Sequence, residues 1–482
     1  MTARLGSKQT IWIIGALAAV LFCAANLPWQ LDDYDQAKQA YTSFEMVNEG
    51  HWLYQRTPHE RVATKPPLVG WISAGIFCVT RSWAVAWRLP SLIAAIAVWI
   101  VLLRSGNVYS AIGGLFAVSA FAFNLLTPRL ATLVRTDMPL VLAISGIGFL
   151  IWSKLRKREQ WRTHDRLLLF ALLTAAMMIK GPIVYAFLLP GIVMLALSAR
   201  NRHDIRGRFW PGWWPWVLSL SIFLGWAIGG SIFVPGFYDQ VVVREFLGRF
   251  GETIHRPQPL LFYLPHLLHK FFPWSVLMIG IAIADLRRRQ WRIRAAFREV
   301  SPETLWLIFW ISGGLIVMSI VPSKRVDRIF PVVPPLCLLL AAQISSGGQT
   351  APGRRLCLTI ALLLSILYTG GYVAAKVISG FRDHRDALVA FGSAVRREAA
   401  ARHWRYEVVK AEDEGLLLYL DKMHFANREG AIAEWNRGNL DALIVPTKAA
   451  PAFMSDLQDA TLSQIKSVPR TDEPASYILI TH

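Results

Sequence analysis

Long apolar blocks recur along this chain, at residues 11–27, 89–103, 140–152, 183–198, 217–234, 305–321 and 357–368. No other feature limits its fold as strongly. A helix rising about 1.5 Å per residue needs roughly 20 apolar residues to cross a hydrocarbon core of about 30 Å, and these blocks approach that length. Only 17% of the 482 residues are charged and 54% are hydrophobic, whereas about a quarter of a soluble chain is charged. Backbone amides find no partner in hydrocarbon, so such blocks must be helical. The expectation is a polytopic α-helical membrane protein. The first block follows Arg4 and Lys8 and is trailed by Asp32, Asp33 and Asp35 instead of a small-residue cleavage site. It reads as a retained span, not a signal peptide.

Charge placement sets the orientation. The net charge is +19, and the basic residues cluster between apolar blocks, at 154–166, 200–208, 287–298 and 354–355. The positive-inside rule makes these cytoplasmic loops, held by anionic lipid and the membrane potential. Nucleic acid is excluded as a partner, because the clusters have no folded groove around them. With the N-terminus inside, residues 31–65 lie outside. The apolar segment 66–80 opens with Pro66 and Pro67 and is short. Counting it as a full span would put the basic loop 154–166 outside, so it reads as an interfacial or re-entrant helix. The remaining blocks then alternate without conflict, giving about 11–13 transmembrane helices over residues 1–378. Residues 379–482 are more polar, with short apolar runs at 415–420, 442–445 and 477–480. They read as a soluble α/β domain outside the membrane. Cys23, Cys78, Cys337 and Cys357 sit in or beside apolar blocks and read as packing residues.

The unusual polar residues at span boundaries all fall on the outer side. They are Asp35, Lys38, Glu45 and Lys65, then Arg129, Arg135 and Asp137, then Lys180. Arg244, Arg249, His255, Arg256, His266 and His269 follow in the loop 235–270, and Lys324, Arg325, Asp327 and Arg328 come last. Ionisable groups near a membrane are costly unless paired or hydrated, so this collection implies a shared polar cavity, roofed by the outer loops 31–87 and 235–270. A few carboxylates among many cations suit a site that grips an anion and keeps one carboxylate as a base. Blander roles compete for some of them. Arg88, Arg129 and Lys270 at span ends read as snorkelling to headgroups, and Asp137 opens a span, where helix N-termini favour carboxylates. His255, His266 and His269 are candidate metal ligands without a tight ligand motif.

Several strings carry a resemblance. Asp35, Lys38, Tyr41, Glu45 and Met46, then Asn48, Gly50 and Trp52, then Lys65-Pro66-Pro67-Leu68, form the first. Arg88-Leu89-Pro90-Ser91, Arg135-Thr136-Asp137-Met138-Pro139-Leu140 and Lys180-Gly181-Pro182 follow in order. Residues 246–250 with His255, Pro257, Tyr263 and Pro273-Trp274-Ser275 come next, and Ser323-Lys324-Arg325 with Pro331 and Pro334-Pro335-Leu336 close the series. Together they resemble the aminoarabinose-transferase and protein-mannosyltransferase family, membrane glycosyltransferases of the GT-C type. The resemblance runs from about residue 30 to 345.

That resemblance implies inverting transfer of a sugar from a polyprenyl-phosphate carrier to a lipid (lipid A-like), glycan or protein acceptor, at the periplasmic face of a bacterial inner membrane. It makes Asp35 the catalytic carboxylate and Asp137 the supporting acid. Lys65, Lys180, Lys324 and Arg328 become donor-phosphate ligands, and Lys38, Tyr41, Glu45, Arg135 and His255 substrate contacts. Departures bear on the substrate. The aminoarabinose transferases have Arg where Lys38 stands and Tyr where Arg328 stands. Their metal-binding Glu before the Lys-Pro-Pro string is Thr64 here, which breaks its pairing with a loop His such as His255, so no metal is assigned. A transporter or flippase of lipid-linked or anionic substrates is the alternative reading; it calls for ionisable residues near mid-span.

Overall fold

The computed structural model describes residues 8–31, 34–199, 209–246, 248, 257–293, 297, 299–346, 352–409, 411–468 and 476–482. Each apolar block forms a helix. Among the described residues six helices are long and apolar enough to cross a membrane: Trp83–Asn107, Asp137–Lys157, Trp214–Phe233, Pro302–Ile320, Val326–Ser346 and Arg355–Arg382. A seventh forms if Tyr263–Lys270 and Trp274–Arg288, bent by 101° at their junction, count as one span. Shorter apolar helices at Lys8–Ala24, Ala111–Ala122 and Ile183–Ala199 pack among them, with Thr163–Lys180. The chain is an integral membrane protein with a helical bundle.

Two segments depart from simple spans. The helix Leu68–Thr80 has 13 residues, about 20 Å of rise, well short of a hydrocarbon core. Its Phe77 stacks on Trp83 of the next helix with ring centroids 3.8 Å apart. The block at 108–126 is helical only over Ala111–Ala122. The fully buried Asn124 ends it: the side-chain amide donates to Ala120 O and Phe121 O, and Oδ1 accepts from the backbone of Leu126 and Thr127. One side chain thus satisfies orphan groups of two helices, ending one and starting Thr127–Ala131.

The C-terminal part is a four-stranded sheet in the order β1-β2-β4-β3, with β1 Tyr406–Val408, β2 Ala442–Pro446, β3 Thr461–Lys466 and β4 Tyr477–Thr481. β1 and β2 are parallel, and the other pairs antiparallel. Both faces are covered. Leu443, Val445 and Ile480 meet Trp435 and Phe453 on one side. On the other, Val408, Ile444 and Leu479 share a core with Leu388, Phe391 and Leu416, which continues into Ala37, Tyr41 and Phe44 of the helix Tyr34–Glu49. This first-loop helix is therefore held between the α/β part and the helix Leu68–Thr80. Gly70 permits the second contact, since a Cβ there would fall 2.5 Å from Met46 Cε.

Candidate active site

Asp35, Lys38, Gln39 and Thr42 lie three, four and seven positions along the first-loop helix and so share one face. That face walls a cavity of about 280 Å³. The opposite walls come from residues 61–67, the start of the helix Asp137–Lys157, Lys180, the turn Arg244–Glu245 and residues 325–328. Local sequence explains several placements. Pro66 and Pro67 keep Lys65 out of helix. The helix Thr163–Lys180 stops at Gly181, whose φ of 74° and ψ of −158° suit only glycine, and Pro182 follows. Lys180 is left at the helix end beside Asp137.

Eight lysines and arginines line the cavity against four carboxylates. Arg135 is the hub. Its guanidinium donates to Asp35, reaches Asp327 Oδ2 at 3.1 Å and lies 3.7 Å from Asp137 Oδ2. Lys180 Nζ meets Asp137 Oδ1 at 2.5 Å with both side chains largely buried, and Arg325 donates to Asp35 at 2.7 Å. Burial works to raise the pKa of Asp35, but the charge of Arg135 and the hydrogen bond and charge of Arg325 outweigh it and hold the carboxyl below its ordinary range. Lys38, Arg61 and Arg244 form no ion pair among the described residues. Burial also pulls the Lys38 ammonium pKa down, against the attraction of Glu245, Glu414 and Asp35.

Of the expected site residues, Asp35, Asp137, Lys65, Lys180, Arg328, Lys38 and Arg135 meet at this cavity. Three others stand apart. The Tyr41 hydroxyl is buried and donates to Met423 O at 2.6 Å, and Glu45 is buried against His51 and the Arg56 backbone. Lys324 Nζ donates to Gln258 O at 2.9 Å. His255, with Arg249 and Arg256, lies outside the described residues. His266 packs on Phe262, and His269 Nε2 is 3.0 Å from the Tyr368 hydroxyl. The Thr64 hydroxyl donates to Glu245 at 3.0 Å, and Lys65 lies 3.9 Å from the same carboxylate. Arg88 is not a headgroup anchor. It is buried and donates to Trp29 O at 2.5 Å and Ala84 O at 3.0 Å, because the chain following the first helix turns back over it.

A profile of dolichyl-phosphate-mannose-protein mannosyltransferases matches residues 64–228. The undecaprenyl phosphate-α-4-amino-4-deoxy-L-arabinose arabinosyl transferase of Pectobacterium atrosepticum is 26% identical over 75% of this chain and 63% of its own length. That of Shewanella sediminis is 26% identical over 65% of this chain and 56% of its own. The chain thus spans about 60% of the length of such curated relatives. The crystal structure of ArnT from Cupriavidus metallidurans bound to undecaprenyl phosphate superposes with a TM-score of 0.73 at 16% identity, covering 98% of both chains.

The chain shares its fold with this transferase and, over residues 64–228, resembles the mannosyltransferases in sequence.

Within this fold, Arg61 and Glu245 line the cavity without a sequence signal, and Arg244, Arg325 and Asp327 belong to the outer polar collection without an assigned role. Arg325 and Asp327 were in view as part of the 323–328 string but carried no separate signal. Arg61 falls in a polar run that reads as a solvated loop, and Arg244 and Glu245 reach the cavity only through the helical turn Tyr238–Phe246. Tyr41 and Glu45 had a usable signal: at six and ten positions from Asp35 they fall on a different face of the same helix.

Proposed function

We propose that this GT-C protein transfers a sugar from a polyprenyl-phosphate carrier to a lipid, glycan or protein acceptor, inverting the anomeric centre. One observation carries the reading: an ionised, partly exposed Asp35 faces a cavity in which cations outnumber carboxylates two to one. The acceptor hydroxyl attacks the anomeric carbon as the bond from that carbon to the phosphate oxygen breaks. The electron pair leaves on the polyprenyl phosphate, and the hydroxyl proton passes to Asp35. Clamped by Arg135 and Arg325, Asp35 is a weak base, so it orients the hydroxyl first and takes the proton once bonding to carbon has made that oxygen acidic. The departing phosphate needs no acid, since fixed cations stabilise it directly. Lys65, Lys180 and Arg328 serve that role in this reading. Lys38, Arg61 and Arg244 join them because none is held in an ion pair among the described residues.

Asp137 supports the site by fixing Lys180 and Arg135. The curated relatives are named for undecaprenyl phosphate-4-amino-4-deoxy-L-arabinose, so that donor belongs in any panel. The departures at Lys38, Thr64 and Arg328 leave the sugar and acceptor for that panel to assign. The decisive assay compares wild type and Asp35→Asn for lipid-phosphate release from a panel of polyprenyl-phosphate sugars. Normal turnover by the Asn variant sinks the assignment.

We further place the bundle, residues 1–378, in the bacterial inner membrane, with the cavity and residues 379–482 on the periplasmic side. The basic loops support this orientation. In a background free of native cysteines, Lys448→Cys should react with an impermeant thiol reagent added to spheroplasts, and Gln160→Cys should not. The opposite pattern would invert the topology.

A further inference from the structure

Outside the cavity, the far side of the first-loop helix gathers metal-ligating groups that the transfer reaction does not use. Glu45 and Glu49 are four residues apart and share one helical face. The helix ends there: Gly50 has a φ of 75°, which turns the chain back and brings His51 to the same face. His51 Nδ1 lies 2.9 Å from Glu45 Oε1 and 3.5 Å from Glu49 Oε2. A fourth group arrives from the α/β part, where His424 Nε2 is 2.6 Å from Glu49 Oε1. His424 is placed by its neighbour, since Met423 O accepts the Tyr41 hydroxyl.

We propose that Glu45, Glu49, His51 and His424 form a zinc site joining the first-loop helix to the C-terminal α/β part. Two carboxylates and two neutral imidazoles balance a divalent cation, and carboxylate and imidazole donors both suit zinc. With metal–ligand bonds near 2 Å, tetrahedral ligands stand about 3.3 Å apart; His51 lies 2.9 and 3.5 Å from the two carboxylates, while His424 meets the other oxygen of Glu49 and completes the set by swinging in from that side. The most buried ligand is prearranged. Glu45 Oε2 accepts the Arg56 backbone N–H at 2.5 Å, leaving Oε1 turned toward His51. Such outer hydrogen bonds fix a ligand's direction. The two imidazoles are about half exposed, giving an ion a route in.

The full-length protein in detergent, stripped with a chelator and titrated with zinc or cobalt, tests this. The expected result is one metal ion per chain, a rise in apparent Tm on zinc addition, and visible bands of tetrahedral cobalt. His424→Ala and Glu49→Gln should each weaken zinc at least about 10-fold, since losing even an outer partner costs roughly 10–100-fold. His424→Cys should keep the metal and add a sulfur-to-cobalt charge-transfer band. His269→Ala should change nothing. Absence of stoichiometric zinc, or binding untouched by His424→Ala and Glu49→Gln, would overturn the site. So would a cobalt complex of His424→Cys without the charge-transfer band.

Discussion

Glu414 offers a test of the electrostatics around the cavity. It belongs to the α/β part, its side chain is 2% exposed, and neither carboxylate oxygen accepts a hydrogen bond. His59 Nε2 stands 3.5 Å away. Burial pushes its pKa up to about 7, and the attraction of Lys38 and Arg61 only partly opposes that. The folded state therefore holds this proton more tightly than the unfolded chain, whose carboxyl titrates near 4.5. The sign follows: stability is full below the unfolded value, falls as pH rises between about 4.5 and 7, and is flat above. At about 1.4 kcal/mol per pKa unit, the loss across that window is about 3 kcal/mol.

Glu414→Gln removes the titration and leaves a buried amide, which carries its own cost of about 1–3 kcal/mol if unpaired. Absolute stabilities at one pH are thus ambiguous, but their pH slopes are not. Apparent Tm from tryptophan fluorescence of the detergent-solubilised protein should fall between pH 5 and 8 for wild type. The curve for Glu414→Gln should be flatter by the Tm equivalent of roughly 3 kcal/mol. Other groups contribute equally to both proteins, so the difference between the two curves is the readout. Equal slopes would refute the reasoning. A functional corollary concerns Lys38 and Arg61: above pH 7 the ionised Glu414 partly neutralises them. The donor KM should therefore rise with pH in wild type but not in Glu414→Gln.

Arg135→Met strands Asp35, Asp137 and Asp327 with fewer cations; at the 3–5 kcal/mol typical of breaking a buried pair, it should lower apparent Tm clearly and abolish turnover. An unchanged Tm would show that the three carboxylates do not depend on it. Arg61→Gln and Arg244→Gln should each reduce kcat/KM for the donor by about 10²-fold and weaken product inhibition by free polyprenyl phosphate, with Tm unchanged; wild-type inhibition in both would remove them from the phosphate site. Tyr41→Phe deletes the bond to Met423 and should cost about 1 kcal/mol, read as faster proteolytic cleavage between the bundle and the α/β part. Unchanged cleavage would deny that bond a docking role.

Sequence patterns located the cavity better than its individual members. Lys65 before two prolines, Lys180 before Gly181-Pro182, and Arg135 and Asp137 at a helix start are pinned by backbone rules that act locally, and all four reach the cavity. Lys324 and Arg325 show where such rules stop. Arg325 has extended backbone angles, φ −139° and ψ 141°, and adjacent side chains on extended chain point to opposite sides. Only one can face the cavity; Arg325 does, while Lys324 turns to Gln258 O. Arg61 and Glu414 were not legible in any local pattern. Their positions follow from how the outer segments and the α/β part pack on one another.

The first-loop helix Tyr34–Glu49 ties these observations together. One face carries Asp35 and Lys38 into the cavity. Another carries Ala37, Tyr41 and Phe44 into the core of the α/β part. A helix of 16 residues moves as a stiff unit of about 24 Å, so tilting or sliding it at its α/β face displaces Asp35 against Arg135 and Arg325. Transfer chemistry tolerates little of that, because a misplacement near 1 Å can cost about 10²-fold in rate. The α/β part thus sets the position of the carboxylate, and none of its described residues lines the cavity. Changes to its docking surface should lower kcat through Asp35 and raise the donor KM through Lys38, which rides on the same helix face.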